Sequence, residues 1–390
     1  MNRDLILIGL SLFTWGLGES TFFYFQPLYL QQLGADPVNI GIILGVYGFA
    51  NMLAHIPAGF LADRIGRRQV MWAAWFLGLL ATWIMALADS LPFFVTGMWL
   101  YALTLFVVSP LNSYVSAASG HMRPERALTI VSAAFSLGMI LGPVIGGAIG
   151  EAAGFRTIFI VAGAIFIIST AIILFIHPQP VERAAPQSSG NAQHSYLPYL
   201  AFLGINMLVV FALYLPQPLA PNYLQNQAGL STSQIGSLYA LSSIGVVVLN
   251  LVLGQLDGRL GYIVGQVSVG LCVLLLWRSS GLFGLGVAFL LLGGFRAVRV
   301  LSTAQIRRLV PSANMGLSFG LAETASSLTM AAAPVLAGYL YAAQPASVFT
   351  ASLVMIALAL SATSAFFYFS NRSQRGSNQP QEVTNAIQLD

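Results

Sequence analysis

The chain has 390 residues, of which 57% are hydrophobic and only 7% charged, and its mean hydropathy is +0.79. A soluble domain carries about 25% charged residues, so this chain lacks the ionic groups to coat a soluble globule. A cytoplasmic enzyme and a secreted domain are both disfavoured, and lipid is the expected solvent. All 16 basic residues are arginines, for a formal net charge of +4. The single cysteine, Cys272, sits in the apolar run VGLCVLLL, with neither a disulfide partner nor a metal-ligand spacing.

A spanning helix needs about 20 mostly apolar residues. Twelve such stretches follow one another at 5–29, 39–61, 70–88, 91–115, 127–150, 155–176, 197–221, 234–256, 262–278, 282–303, 315–341 and 346–369. The first, from Leu5, is too long for the apolar core of a signal peptide, so no cleaved leader is expected. Short turns join the spans, among them Gly34–Pro37, Asp89–Pro92, Gly229–Thr232 and Ala343–Pro345. Residues 177–196 are polar and rich in Pro, Ser and Gln, the composition of a linker. Residues 370–390 are polar without periodicity and read as a disordered tail. The expected fold is therefore all-α and polytopic. A six-helix bundle over 1–176 and a second over 197–369 flank a cytoplasmic linker.

The two halves resemble each other. LYLQQLG at 28–34 lies over NYLQNQAG at 222–229, and at an offset of 195 Gly41, Gly59, Arg64 and Gly66 fall on Gly236, Gly254, Arg259 and Gly261. This is a parallel repeat. Arginine placement orients it. With the N-terminus inside, the inner loops and ends hold Arg3, Arg64, Arg67, Arg68, Arg123, Arg126, Arg183, Arg259, Arg307, Arg308, Arg372 and Arg375. The outer side holds Arg156 and Arg278. Both termini are thus expected in the cytoplasm. The basic charge is explained by topology, without a nucleic-acid partner.

The loop after the second span reads GFLADRIGRRQV, Gly59 to Val70. Gly59 permits close helix approach, Gly66 can take a positive φ, and Asp63 can accept hydrogen bonds from a helix N-terminus or an arginine. The fifth span carries GMILGPVIGG. Gly138, Gly142 and Gly146 lie on one face for close packing, and Pro143 removes a helix hydrogen bond and permits a bend. The first pattern closely resembles the signature between helices two and three of the major facilitator superfamily, with a weaker copy, GQLDGRLG at 254–261, in the second half. The second resembles the glycine–proline motif of that family's twelve-helix drug:proton exporters. The resemblance covers essentially the whole chain. It implies a cytoplasmic conformational latch made by Asp63, Arg64, Arg67 and Arg68, a proton gradient as driving force and no bound cofactor. It also implies a monomer in the inner membrane. One departure stands out: the family's proton-coupled exporters carry an arginine in helix four, and counting back twelve from Pro110 gives Met98.

Ionisable groups inside spans are expensive and mark function by default. Glu19 lies on a stripe with Leu12, Trp15, Gly16, Phe22, Phe23 and Gln26. A carboxylate with aromatic neighbours suits an amphipathic or cationic solute and proton exchange; a structural carboxyl is the plainer alternative. Glu323 and Arg296 are expected at similar depth on neighbouring helices, where they can form a pair, with Arg299 shallower and snorkelling. His55 is a secondary proton-coupling candidate beside the plainer reading of a packing residue. The sequence has no phosphate-binding G-x-x-x-x-G-K-[ST] run and no metal-spaced His/Cys cluster. The expectation is a secondary transporter exporting a hydrophobic or cationic organic compound against protons. Proton-linked uptake of a sugar or organic acid, or a non-transporting sensor, are the alternatives.

Overall fold

The computed structural model describes residues 2–179, 196–279, 281–310 and 315–387 and, within these, the side chains outside 55–65, 316 and 371–387. His55, Gly59, Asp63 and Arg64 lie outside the described side chains. In chain order the helices are α1 (Arg3–Phe23), α2 (Gln26–Gln32), α3 (Pro37–Ile65), α4 (Arg67–Leu87), α5 (Leu91–Ala102), α6 (Val108–Ala117), α7 (Pro124–Ala153) and α8 (Phe155–Ile173). The second half repeats them as α9 (Leu197–Tyr214), α10 (Ala220–Asn226), α11 (Thr232–Leu253), α12 (Gly258–Arg278), α13 (Leu282–Leu292), α14 (Gly294–Leu309), α15 (Met315–Ala343) and α16 (Ser347–Ile387). Eleven crossings among the described residues are long and apolar enough to span a membrane, and α15, which lies along α3, completes the twelve. The last helix runs to Ile387, beyond the tail boundary expected at 370. Extending a formed helix costs far less than nucleating one.

Local chemistry sets the ends. Gly66, between α3 and α4, and Gly154, between α7 and α8, have φ of 92° and 81°, a region open to glycine without steric cost. Ser231 and Gln234 form a capping box at the start of α11. Asp257 caps α12 by accepting from the Arg259 amide at 3.0 Å, and that backbone hydrogen bond holds its carboxyl below the usual carboxylate range. Arg308 of α14 stands 3.8 Å from the same carboxylate.

Each half has its own buried node. In the first, the Trp75 indole donates to Ser11 Oγ at 2.9 Å and lies 3.0 Å from Ser169 Oγ, tying α4 to α1 and α8. In the second, Tyr262 donates to Asn206 at 3.1 Å. α7 lies close along α1: a Cβ on Gly138 would meet the backbone of Phe13 and Leu17, one on Gly142 the Ser20 hydroxyl and the Leu17 carbonyl, and one on Gly146 the Thr21 carbonyl and the Phe25 ring.

The halves meet at two crossings, α3 with α15 and α7 with α11. Both contacts concentrate at the end of the bundle opposite the termini. A Cβ on Gly41 would meet Gly338 and the Pro334 carbonyl; one on Gly236 would meet Gly147 and the Pro143 carbonyl. Amides cover this end. Asn222 donates to the Pro27 carbonyl at 3.1 Å and to Gln31 at 2.6 Å, and Asn226 donates to Gln31 at 3.0 Å. Glu151 accepts from the Ser231 hydroxyl at 2.7 Å and the Ser233 amide at 2.9 Å.

Because only backbone faces Gly138, a larger side chain there has nothing that can yield. We expect Gly138→Val to lower stability by about 1–3 kcal/mol in thermal unfolding of the detergent-solubilised protein. Leu137→Val at the exposed neighbouring position should leave unfolding close to wild type.

Candidate functional site

Four crossings are broken, and they pair between halves. The first breaks at Tyr24–Phe25 and the seventh between Tyr214 and Ala220, where Pro27, Pro216, Pro218 and Pro221 withhold amide donors. The fourth passes through a tight 3-10 turn, Leu103–Val107. There Pro110 withholds the donor that the Phe106 carbonyl would otherwise receive. The tenth breaks at Gly293–Gly294. A Cβ on Gly293 would collide with the Gly245 backbone of α11. Broken helices in corresponding positions of two repeats mark the solute site in such folds.

Side chains from these breaks gather around Glu19. Its carboxylate is half-buried in α1 and is approached by the Trp15 indole N–H. Its charge acts on Tyr24 at the end of α1, on Tyr47 of α3 and on Tyr101 of α5. From the other half, Arg296 of α14 acts electrostatically on both Glu19 and Tyr24. Tyr24 stacks on Tyr239 of α11, with ring centroids 4.1 Å apart. Tyr24 also has Ser243 of α11 as a hydrogen-bonding neighbour. Ser243 in turn donates to the Met139 carbonyl of α7 at 3.2 Å. Tyr214 stacks on Phe295, beside Arg296, at 5.7 Å. The Glu19 region thus lies directly against an aromatic contact that bridges the halves.

The expected stripe on α1 divides. Trp15 (8% exposed) and Phe22 (0%) pack into the core of the first half, against Trp75, Tyr101, Phe159 and Phe166. Trp15 reaches the site only through its indole edge. Phe23 turns toward Tyr47. Gln26 is buried, with its amide nitrogen lacking a hydrogen-bond partner. The aromatic lining comes instead from tyrosines on other spans. Nothing in their local sequence distinguishes them from packing residues, although Tyr24 and Tyr214 each precede a break flanked by proline.

The expected Arg296–Glu323 pair is corrected. Glu323 is bonded to Arg299, the residue expected to snorkel. The reason is helix length: α14 continues to Leu309, six residues beyond the span end expected from hydropathy. Arg296 therefore lies deeper and Arg299 takes the level of Glu323. Gly138, Gly142 and Gly146 pack on α1 and the Pro143 carbonyl on Gly236 of α11. Of the loop after the second span, Arg67 donates to Gln179 at 3.5 Å and Arg68 stacks over Trp72 at 4.4 Å. The first contact reaches the start of the linker and the second stays within the first half, so neither joins the two halves.

The chain matches known proteins over its length. The model of the Major Facilitator Superfamily matches residues 8–215 and 202–387. The multi-drug resistance efflux pump PmrA homolog of Lactococcus lactis subsp. lactis is 23% identical over 374 residues, covering 87% of this chain and 89% of that protein. The sialic acid transporter NanX of Escherichia coli is 24% identical over 359 residues, 83% of this chain and 84% of that one. Among solved structures, the nucleoside transporter NupG superposes with a TM-score of 0.75 at 14% identity, over 94% of this chain and 99% of that one. That likeness is one of fold.

The corrected pairing is open to measurement. In a double-mutant cycle read by thermal unfolding, Arg299→Ala and Glu323→Ala should be non-additive, and Arg296→Ala with Glu323→Ala additive within about 0.5 kcal/mol. Coupling in the second cycle alone would restore the Arg296–Glu323 pair.

Proposed function

The chain belongs to the Major Facilitator Superfamily, and within it we propose a proton-coupled secondary transporter of an organic solute, with Glu19 as the proton-carrying group. The observation that carries this reading is the position of Glu19. It stands on the first span beside the broken crossings, is held by no ion pair among the described residues, and lies next to the Tyr24–Tyr239 stack that joins the halves. A carboxylate with no ion-pair partner in contact is costly inside a membrane. A group that exchanges a proton there changes the charge balance at the seam on which alternating access depends.

The cycle follows from the two ends. The glycine crossings and the Gln31–Asn226 amides close one end, and the arginine distribution assigns that end to the outside. Both termini are then cytoplasmic, as expected for an inner-membrane protein working as a monomer. The halves rock about the glycine crossings, driven by the proton gradient and without a bound cofactor. In this scheme Asp63, Arg64, Arg67 and Arg68 form the cytoplasmic latch in the opposite state. The absent helix-four arginine is answered from the other half, because Arg296 supplies the positive charge that Glu19 feels.

A second reading, export of a hydrophobic or cationic compound in exchange for protons, is favoured by the similarity to the PmrA homolog. Direction is read from flux in proteoliposomes under imposed pH gradients of either sign.

For the shared core of both readings, Glu19→Gln should abolish the acceleration of solute flux by a pH gradient. It should leave gradient-independent solute exchange and thermal stability intact. Wild-type gradient dependence in the variant removes Glu19 from the role. For the latch, Asp63→Asn should slow transport turnover while changing solute affinity less than about threefold, which is under 1 kcal/mol. A larger loss of affinity with unchanged turnover would assign Asp63 to solute binding instead.

A further inference from the structure

Two arginines stand one turn apart on α14, and they are not equivalent. Arg299 is held by Glu323. Arg296, one turn deeper on α14, makes no hydrogen bond and no ion pair with any described residue. It acts across the seam on Glu19 and Tyr24 without touching either. A guanidinium presents five fixed donors and no acceptor, and Arg296 is exposed rather than packed away, so those donors are open to a solute. Other hydrogen-bonding capacity is unspent nearby. The Asn51 carbonyl oxygen beside Tyr47 lacks a hydrogen-bond partner among the described residues. The faces of Tyr24, Tyr47 and Tyr214 complete the surroundings.

We propose that Arg296 docks the carboxylate of an organic acid with an aromatic or apolar body, and that this anion travels together with the proton on Glu19. The inference rests on the reading of Glu19 as proton carrier and names the solute class of the same site. Charge balance supports it. Without solute, the Glu19 carboxylate offsets Arg296. When Glu19 is protonated, Arg296 is left without a counter-charge until an anion arrives. Proton and acid anion therefore each favour the binding of the other, and both leave the site neutral. A cationic solute meets the opposite situation. It would face Arg296, with Glu323 already committed to Arg299. The groups facing Glu19 are Trp15 from its own helix, Tyr24, Tyr47 and Tyr101 from the first half and Arg296 from the second. Of these only Arg296 carries a charge near neutral pH. The planar fork of arginine suits a carboxylate in two-point contact, which a lysine could not reproduce.

The test uses the full chain in detergent and weak buffer. Phenylacetate, hippurate and octanoate are compared with the amides and amines of the same bodies. Binding is followed by thermal shift, and proton uptake by a pH indicator. Carboxylates should bind in preference to amides and amines, with proton uptake on binding. Arg296→Ala should weaken carboxylate binding by about 10- to 100-fold and leave amide binding unchanged. Arg296→Lys should recover part of the loss, which separates docking from a folding defect. No carboxylate binding, tighter binding of the amines, or unchanged carboxylate affinity in Arg296→Ala overturns the inference. Carboxylate binding that depends on Arg296 but takes up no proton would instead leave the docking role standing and sink the proton role of Glu19.

Discussion

At two places the halves of this protein touch backbone to backbone, Gly41 on Gly338 and Gly236 on Gly147. Any side chain at these positions would drive the helices apart. The contact therefore exists only because four glycines coincide across a seam that no short stretch of chain contains. It is also a contact made mainly by backbone and small residues with few directional bonds between side chains, the kind that can open without dismantling either half. In lipid, where helices gain little by hiding apolar surface from one another, close backbone approach is one of the few sources of attraction available. Everything on the far side of the seam, including the space around Glu19, is arranged by where these crossings hold the two bundles.

The repeat gives the crossings their symmetry. Gly41 and Gly236 are equivalent positions 195 residues apart. Gln31 bonds to Asn226 and the Pro27 carbonyl to Asn222, and each of these pairs is also separated by 195. Residues thus meet their own repeat mates across the pseudo-two-fold axis. The charges break that symmetry. Glu19 belongs to the first half and Arg296, Arg299 and Glu323 to the second. The polar chemistry of the site is built from an asymmetry laid on a symmetric frame.

Much of this was legible in the chain. The crossings, the six-and-six division and the polar connection between halves follow from hydropathy. Glu19, Glu323 and Arg296 stand out because an ionisable residue in an apolar run is conspicuous on its face. The tyrosines did not stand out, since a tyrosine in a span packs as readily as it lines a cavity. Tyr262, bonded to Asn206, and Tyr24, stacked across the seam, look alike in sequence. The arginine that meets Glu323 is hidden in the sequence for a related reason. Gln305, Arg307 and Arg308 lower the hydropathy at the end of α14, while the helix itself continues to Leu309. Hydropathy marks where lipid ends, not where the helix ends, and depth must be counted from the helix.

The sequence by itself determined the solvent, the number of crossings, the repeat and the handful of charges that lipid should exclude. Each of these is a one-dimensional property, set by the cost of placing a given residue in hydrocarbon. Which charge answers which was decided only by the tertiary structure. That Arg299 is paired with Glu323, and that Arg296, with no ion pair among the described residues, acts electrostatically on Glu19 of the other half, depends on helix rotation, depth and the glycine crossings together. The strength of each charge interaction depends on separation and surroundings, which only packing of the two halves can set.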